Sequence, residues 1–224
     1  MANIFPRGSN FLPLKIVLCL LVMGGSITAG FVYFFTNKYT HVGYQPTQPV
    51  PFPHDVHVKQ VGMDCRYCHS FVEVAAHSNV PTTQVCMNCH LQIQKDNPKL
   101  EAVRDSWRTG KPIQWVQIHK TPDYAYFNHS AHVNRGVSCV SCHGKIHEMP
   151  EVYHAKPLTM AWCLECHRNP EEALRPVKEV TNLDWQPPVK DGQSVAEAQR
   201  ELGSKLKKDW GINPPDKNCA GCHR

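Results

Sequence analysis

Five Cys-x-x-Cys pairs in this chain are each followed directly by a histidine, and this repeated motif constrains the fold more than any other feature. The motifs are CRYCH, CMNCH, CVSCH, CLECH and CAGCH, at residues 65–69, 86–90, 139–143, 163–167 and 219–223. Only 14 of the 224 residues are histidine, so chance does not explain five such placements. The constant histidine therefore has a chemical role.

Zinc and disulfides are the two alternatives that use paired cysteines. The spacing from Cys68 to Cys86 and that from Cys142 to Cys163 both fall within the range of four-cysteine zinc sites. Disulfides persist in exported domains. Neither alternative explains a histidine after every pair, whereas the C-x-x-C-H motif is the signature of c-type haem attachment.

The motifs therefore predict five covalently bound haem c groups. In this chemistry the two cysteines form thioethers to the porphyrin and the histidine ligates the iron. The expected attachment residues are Cys65, Cys68, Cys86, Cys89, Cys139, Cys142, Cys163, Cys166, Cys219 and Cys222. The expected proximal ligands are His69, His90, His143, His167 and His223. With 42% hydrophobic residues and 18 prolines, the chain has little material for a large core, and haems would supply apolar surface.

An internal repeat predicts four ligands for the other side of the irons. The segment FPHDVHV at 52–58 matches FNHSAHV at 127–133, and each is followed by a glycine and a haem motif. A haem that only transfers electrons has its sixth position filled by histidine or methionine. The predicted distal ligands are His54, His57, His129 and His132, and the repeat indicates a duplicated two-haem module.

The fifth distal ligand stays open at this point. His119 ranks first because it lies just ahead of the second repeat. Met160, shortly before the fourth motif, and Met149 are alternatives, although packing is the commoner role of methionine. A His/Met haem would have a higher potential than its bis-histidine neighbours.

The N-terminal region predicts a membrane anchor. Residues 16–35 contain no charge and are long enough to cross a bilayer as a helix. Arg7 and Lys15 precede this run, which favours a cytoplasmic N-terminus and a haem domain on the periplasmic side of the bacterial inner membrane. A cleaved signal peptide is the alternative, but its apolar core would be shorter. The formal charge of +5 is scattered, so no nucleic-acid partner is expected.

We expect a mostly α-helical fold with extensive loops and little sheet. One helix is predicted at 101–108, ending at Gly110, and another at 194–209, where SVAE forms a capping box. The expected division is an anchor at 1–40, a first two-haem module at 41–110, a second at 111–170, and a linker, helix and fifth haem at 171–224.

The Phe-x-His-x-x-His segments followed by C-x-x-C-H resemble the cytochromes c7 and c3. There the first histidine ligates the haem of the next motif, which implies His54 for the haem on His69 and His129 for the haem on His143. The stretch from HKTPDYAYFNHSAHVNRGVSCVSCHG to LTMAWCLECHR, with the anchor, resembles the pentahaem cytochrome c subunit of bacterial alternative complex III. This resemblance implies an electron carrier among other membrane and periplasmic subunits, with a periplasmic cytochrome c or a terminal oxidase as acceptor.

Two other functions use similar motifs. A multihaem reductase of the nitrite or hydroxylamine type needs an open iron site, often marked by C-x-x-C-K, which does not occur here. A NapC/NrfH-type quinol dehydrogenase has a methionine closely following its first motif, whereas CRYCH is followed by Ser70, Phe71 and Val72. The sequence therefore favours an electron-transfer subunit with no catalytic residue of its own.

Overall fold

The computed structural model describes residues 6–35, 40–216 and 218–223. It divides into two compact units, Met1–His41 and Val42–Arg224. In the first unit a short 3-10 helix, Arg7–Phe11, leads into helix α1, Leu12–Phe35. The predicted apolar helix is thus confirmed and begins four residues earlier than residue 16.

Helix α1 buries none of its residues. Its 24 residues rise about 36 Å, which exceeds the hydrocarbon thickness of a bilayer. Within the stretch Gly8–Phe35, an 18-residue window has a mean hydropathy of 2.1. A helix with this length and composition is compatible with a membrane anchor.

The second unit is built from short helices joined by long loops. In chain order its α-helices are α2 (Cys65–Cys68), α3 (Thr83–His90), α4 (Glu101–Thr109), α5 (His129–Val133), α6 (Cys139–His143), α7 (Met160–Arg168) and α8 (Val195–Asp209). A π-helical turn, Asp55–Gln60, precedes α2. Short 3-10 helices are Pro98–Leu100, Ile146–Glu148, Pro170–Glu172, Val177–Glu179 and Cys219–Gly221. Within the described residues no strand forms, and an isolated bridge joins Val137 to Leu174. The predicted fold class is confirmed.

Polar N-caps explain why helices as short as these begin where they do. The side chains that cap the haem-motif helices and accept a backbone N–H are Asp64, Ser138, Thr159 and Asn218. Such a cap satisfies one of the donors that a helix leaves unpaired at its start. A single helical turn can therefore present each motif without a long helix around it.

The polypeptide buries few apolar side chains. One cluster joins Val50 to Met87 and Val103, and a second joins Val72, Val133 and Val180. Large apolar side chains near the motifs stay exposed: Tyr67, Phe71, Val74, Leu91, Ile93, Tyr124, Tyr126 and Met160. A unit of this size with small clusters and exposed apolar groups needs another source of cohesion.

Helix α8 confirms the prediction made for residues 194–209. Ser194 and Glu197 form the reciprocal capping box. Gly203 lies so close to the Pro170–Glu172 turn that a Cβ added there would be 1.9 Å from the carbonyl oxygen of Glu171. Glycine is therefore what permits α8 to dock beside the fourth motif. Helix α4 also matches its prediction and ends at Gly110, whose φ is +70°.

Candidate haem sites

The haem motifs lie on single helical turns, which places their reactive atoms on one side. The third motif is the whole of α6, and the second and fourth lie within α3 and α7. Residues three and four apart on a helix share a face. The two thiols and the imidazole of a motif therefore point the same way. None of the eleven cysteines is joined to another in a disulfide in this structure.

Backbone carbonyls fix four of the five motif histidines. The Nδ1 contacts are His69 to Asn79 O at 2.7 Å, His90 to Ile93 O at 2.9 Å, His167 to Pro215 O at 3.0 Å and His223 to Tyr124 O at 3.0 Å. A carbonyl only accepts hydrogen bonds, so Nδ1 carries the proton and Nε2 keeps its lone pair. This is how proteins commonly orient a metal-binding histidine.

Three histidines of the repeated segments are held in the same way. Their Nδ1 contacts are His57 to Pro53 O at 2.8 Å, His129 to Ala76 O at 2.9 Å and His132 to Asn128 O at 2.7 Å. Their Nε2 atoms are therefore also lone-pair donors. An imidazole tied in this way loses little rotational freedom when it binds a metal.

Three of these histidines face motif histidines across a gap. The distances between ring centroids are 6.2 Å for His57 and His90, 6.4 Å for His129 and His143, and 6.1 Å for His132 and His167. Metal–nitrogen bonds of about 2 Å would place two imidazoles on opposite sides of an ion with centroids roughly 6 Å apart. The three gaps thus have the width of an axially ligated iron.

His54 and His143 have buried Nδ1 atoms without a hydrogen-bond partner. Burial is the main factor that lowers the pKa of His54 to about 4 and that of His143 to about 3. Both rings are therefore neutral near pH 7 and have a free lone pair. The charge of His69 is a second influence that lowers the pKa of His54.

The structure places His119 against His143, with ring centroids 4.4 Å apart at an interplanar angle of 81°. This separation is too small for an iron between the two rings. His119 also stacks on His154 at 5.2 Å. It therefore does not face a motif histidine in the way that His57 and His132 do.

The two methionines differ in exposure. Met160 is 63% exposed at the start of α7, whereas Met149 is 3% exposed.

Of the remaining histidines, His77 is exposed and His147 uses its Nε2 to bond Asp184 Oδ2 at 2.9 Å. That contact occupies the Nε2 atom of His147.

The third motif borders a cleft of about 670 Å³. Its lining includes Val140 and Gly144 from the motif region and the apolar groups of Met149, Tyr153 and Ala155, but also the charged side chains of Lys145, Glu148, Glu151 and Lys156. This volume is typical of cofactor sites. The exposed apolar groups and the oriented imidazoles fit a haem bound at these motifs.

The carbonyl groups that orient the histidines had no signal in the sequence. Asn79, Ile93, Pro215 and Tyr124 contribute main-chain oxygens, which every residue has. Two of them are far along the chain from the histidine that they contact. Only the fold reveals such partners.

These sites define a multihaem c-type cytochrome. A family model for cytochrome c7 and related cytochromes c matches residues 50–106 and 125–224, which is more than half of the chain. The chain therefore belongs to the family of cytochrome c7 and related cytochromes c, whose members bind haem c covalently.

A curated relative is described as the multihaem cytochrome c subunit of a menaquinone reductase from Nitratidesulfovibrio vulgaris strain Hildenborough. It is 35% identical to this chain over 100 residues, which are 44% of this chain and 47% of the relative. The matched part thus spans about half the length of that relative.

Proposed function

We propose that this chain carries single electrons through five covalently bound haem c groups. The observation that carries the proposal is the set of three facing histidine pairs, each with ring centroids just over 6 Å apart. Haem c supplies one-electron chemistry, because its iron cycles between ferrous and ferric states. If two side chains hold each iron, no position would be open to a substrate, which suits electron transfer.

The proposed axial pairs follow the geometry. His57 pairs with His90, His132 with His167, and His129 with His143. We pair His54 with His69 because their equivalents in the second repeat, His129 and His143, face each other. Backbone carbonyls orient both rings of the His57–His90 and His132–His167 pairs, and one ring of each of the other two pairs. The cysteines of each motif would attach the haem.

For the haem on His223 we propose Met160 as the distal ligand. Met160 lies one helical turn before Cys163, so the two share a face of α7. The fifth motif lies beside α7, because the carbonyl of Pro215 accepts a hydrogen bond from His167 Nδ1 at 3.0 Å and the ring of the same proline lies against Gly221. His119 is engaged at His143 instead.

The proposed setting is a membrane complex that exchanges electrons with the quinone pool. Helix α1 would anchor the chain with its N-terminus in the cytoplasm and the haem unit in the periplasm. The finer proposal is a subunit of alternative complex III, which would pass electrons from quinol oxidation to a periplasmic cytochrome c or a terminal oxidase. The proposed divisions of the chain are 1–40, 41–110, 111–170 and 171–224.

A second candidate reverses the direction of electron flow. The relative from Nitratidesulfovibrio vulgaris is named as a menaquinone reductase subunit, so electrons there go to menaquinone. A chain of haems conducts in either direction, and the partners determine which one is used. The subunits that co-purify with this chain therefore distinguish the two candidates.

The test is purification of the affinity-tagged chain from its native membrane. We expect a mass that corresponds to five haems, and low-spin ferric signals that account for them. Reduction of the haems by menaquinol, followed by oxidation by a periplasmic cytochrome c, would support alternative complex III. Reduction by a low-potential periplasmic cytochrome with formation of menaquinol would support the reductase. A colourless chain, or one that carries zinc, would disprove the proposal.

A further inference from the structure

The two Phe-x-His-x-x-His segments have the same local geometry. In each, the phenylalanine ring lies edge-on to the first histidine and stacks on the second. The centroid distances are 4.8 and 4.2 Å around Phe52, and 4.7 and 4.6 Å around Phe127. The glycines that follow, Gly62 and Gly136, have φ angles of +78° and +80°. The two repeats are therefore alike in structure as well as in sequence.

Each repeat also contacts the loop that follows the first motif of the other. The Asp55 N–H donates to the carbonyl oxygen of Met149 at 3.3 Å, and the Ser130 N–H donates to that of Ala75 at 3.2 Å. Asp55 and Ser130 occupy the same position of the repeat. Met149 and Ala75 also correspond, because each lies ten residues after the first cysteine of its motif. The two contacts are thus reciprocal.

A second pair of contacts follows the same pattern. Lys59 Nζ lies 3.0 Å from Glu148 Oε1, and Asn134 Nδ2 donates to the carbonyl oxygen of Glu73 at 2.8 Å. Lys59 and Asn134 are equivalent, each two residues after the second histidine of its segment. Their partners, Glu148 and Glu73, lie in equivalent loops, but their positions differ by one residue when the two repeats are aligned. When residue i of one unit contacts residue j of another and the reverse also holds, the packing has two-fold character.

The first and third motifs meet at the centre of this packing. Cys65 and Cys139 are equivalent cysteines, and each is the first influence on the pKa of the other's thiol, so the two lie side by side. Cys139 also packs on the cluster that contains Val72, which follows the first motif, and Val133. Residues near a two-fold axis contact their own equivalents, as these cysteines do.

The other motifs extend outwards from this centre. Asn88 of the second motif donates to the hydroxyl of Tyr67 in the first at 3.1 Å. Helix α5 links the third and fourth motifs, because it carries both His129, which faces His143, and His132, which faces His167.

The fifth motif follows the fourth through Pro215. The carbonyl of Pro215 accepts the hydrogen bond from His167 Nδ1 at 3.0 Å. The ring of the same proline lies against Gly221 of the fifth motif, where an added Cβ would be 2.6 Å from it. The fourth and fifth motifs are thus neighbours.

We infer that the two haem modules pack head to head about a local two-fold axis, so that the five haem sites form one row in the order second, first, third, fourth, fifth. The inference rests on the proposed function, and it adds an order that differs from the order along the chain. The second and fifth sites are the ends of the row. External electron partners would therefore contact those two sites.

The solvent exposure of the motif cysteines also indicates that the second and fifth sites are the ends of the row. Of the ten motif cysteines, Cys89 and Cys219 are exposed and the other eight are half-buried. One belongs to the second motif and the other to the fifth. The first and third motifs, placed at the centre by their contacts, have no exposed cysteine.

Carbodiimide cross-linking of the haem-loaded protein tests the packing. We expect a zero-length cross-link between Lys59 and Glu148, detected by peptide mass spectrometry, and its loss in Lys59→Arg. The variant Asn134→Lys should gain the reciprocal cross-link to Glu73. The local link between Lys145 and Glu148, whose atoms lie 3.7 Å apart, shows that the reagent has reacted. Formation of the local link without the link to Lys59 would overturn the head-to-head arrangement.

Redox coupling tests the order. The charge on one iron shifts the potential of its nearest neighbours most strongly. The variants Cys219→Ala/Cys222→Ala and Cys86→Ala/Cys89→Ala each remove an end haem. Either variant should shift the reduction potential of one remaining haem in an EPR-monitored redox titration. Removing the third haem, in Cys139→Ala/Cys142→Ala, should shift the reduction potentials of two remaining haems. The order would be overturned if a variant that lacks an end haem shifted the potentials of two or more haems. If the variant that lacks the third haem does not accumulate, the two end variants decide the question. Fewer than five haems in the wild-type mass would instead contradict the proposed function.

Discussion

The imidazole rings of His57 and His90 lie with their centroids 6.2 Å apart, although 33 positions separate the two residues in the chain. The Nδ1 of each ring is tied to a backbone carbonyl, so both Nε2 atoms are available. His132 and His167 repeat this relationship at 6.1 Å. Two independent occurrences of the same geometry indicate a common use, for which we propose that each pair holds one iron.

The variant His57→Ala should therefore convert one haem from low spin to high spin. Without the imidazole, the iron held by His90 loses its sixth ligand and becomes open to external ligands. We expect the low-spin ferric EPR intensity to fall by about one haem in five, and carbon monoxide to bind at one haem per chain.

The matched control is His77→Ala, which removes an exposed histidine. It should leave all low-spin signals unchanged. Retention of the full low-spin intensity in His57→Ala would contradict the assignment of His57 as a ligand.

The docking of α8 provides a prediction about stability. In Gly203→Ala the new methyl group would overlap the carbonyl oxygen of Glu171, so the helix must move away from the Pro170–Glu172 turn. Overpacking of this kind typically costs about 1–3 kcal/mol. Urea unfolding followed by circular dichroism measures the effect.

Ser204→Ala is the control, because this neighbouring position on α8 is exposed. It should be neutral or slightly stabilising, since alanine is the better helix former. Equal stabilities for the two variants would show that α8 does not depend on close approach at Gly203.

The sequence predicted the local features because their causes are local. The capping box of Ser194 and Glu197 and the stop at Gly110 each depend on a few neighbouring residues, and both are confirmed. The motifs and the repeat likewise fixed the candidate ligands before any geometry was known. The assignment of those ligands to iron stays a prediction.

Long-range contacts could not be predicted in this way. The fold packs His119 on His143, and no spacing in the sequence indicates that contact. The ranking of His119 for the fifth distal position stays a prediction. The contact between Cys65 and Cys139 likewise joins equivalent positions of two repeats. A repeat shows that two units are alike, but it does not show how they pack.

An acid-dependent loss of stability is expected from Asp64. This residue caps α2, forms an ion pair with Arg66 and accepts a hydrogen bond from Thr181 Oγ1 at 3.0 Å. Chiefly the Arg66 hydrogen bonds lower the pKa of Asp64 from 3.8 to about 2. Because the folded pKa lies below the unfolded one, the stabilisation is complete above pH 3.8 and is lost as the pH falls towards about 2.

The variant Asp64→Asn should lack this part of the pH dependence. Asparagine still caps the helix, but it cannot form the ion pair. The side chain of Asp64 is 42% exposed, so solvent screening limits the effect to about 1 kcal/mol or less. The free energy of unfolding, measured above and below this pH window, gives the comparison. The same loss in both proteins would assign the acid sensitivity to other carboxylates.

The last prediction concerns the distal ligand of the fifth haem. If Met160 ligates the iron held by His223, then Met160→His should lower the potential of one haem, because a bis-histidine iron has a lower potential than a His/Met iron. The charge-transfer absorption typical of methionine-ligated ferric haem should disappear at the same time. His119→Ala should leave spin states and that absorption unchanged, since the ring of His119 packs beside His143 at 4.4 Å. A high-spin haem in His119→Ala, together with an unaltered spectrum in Met160→His, would transfer the ligand role to His119.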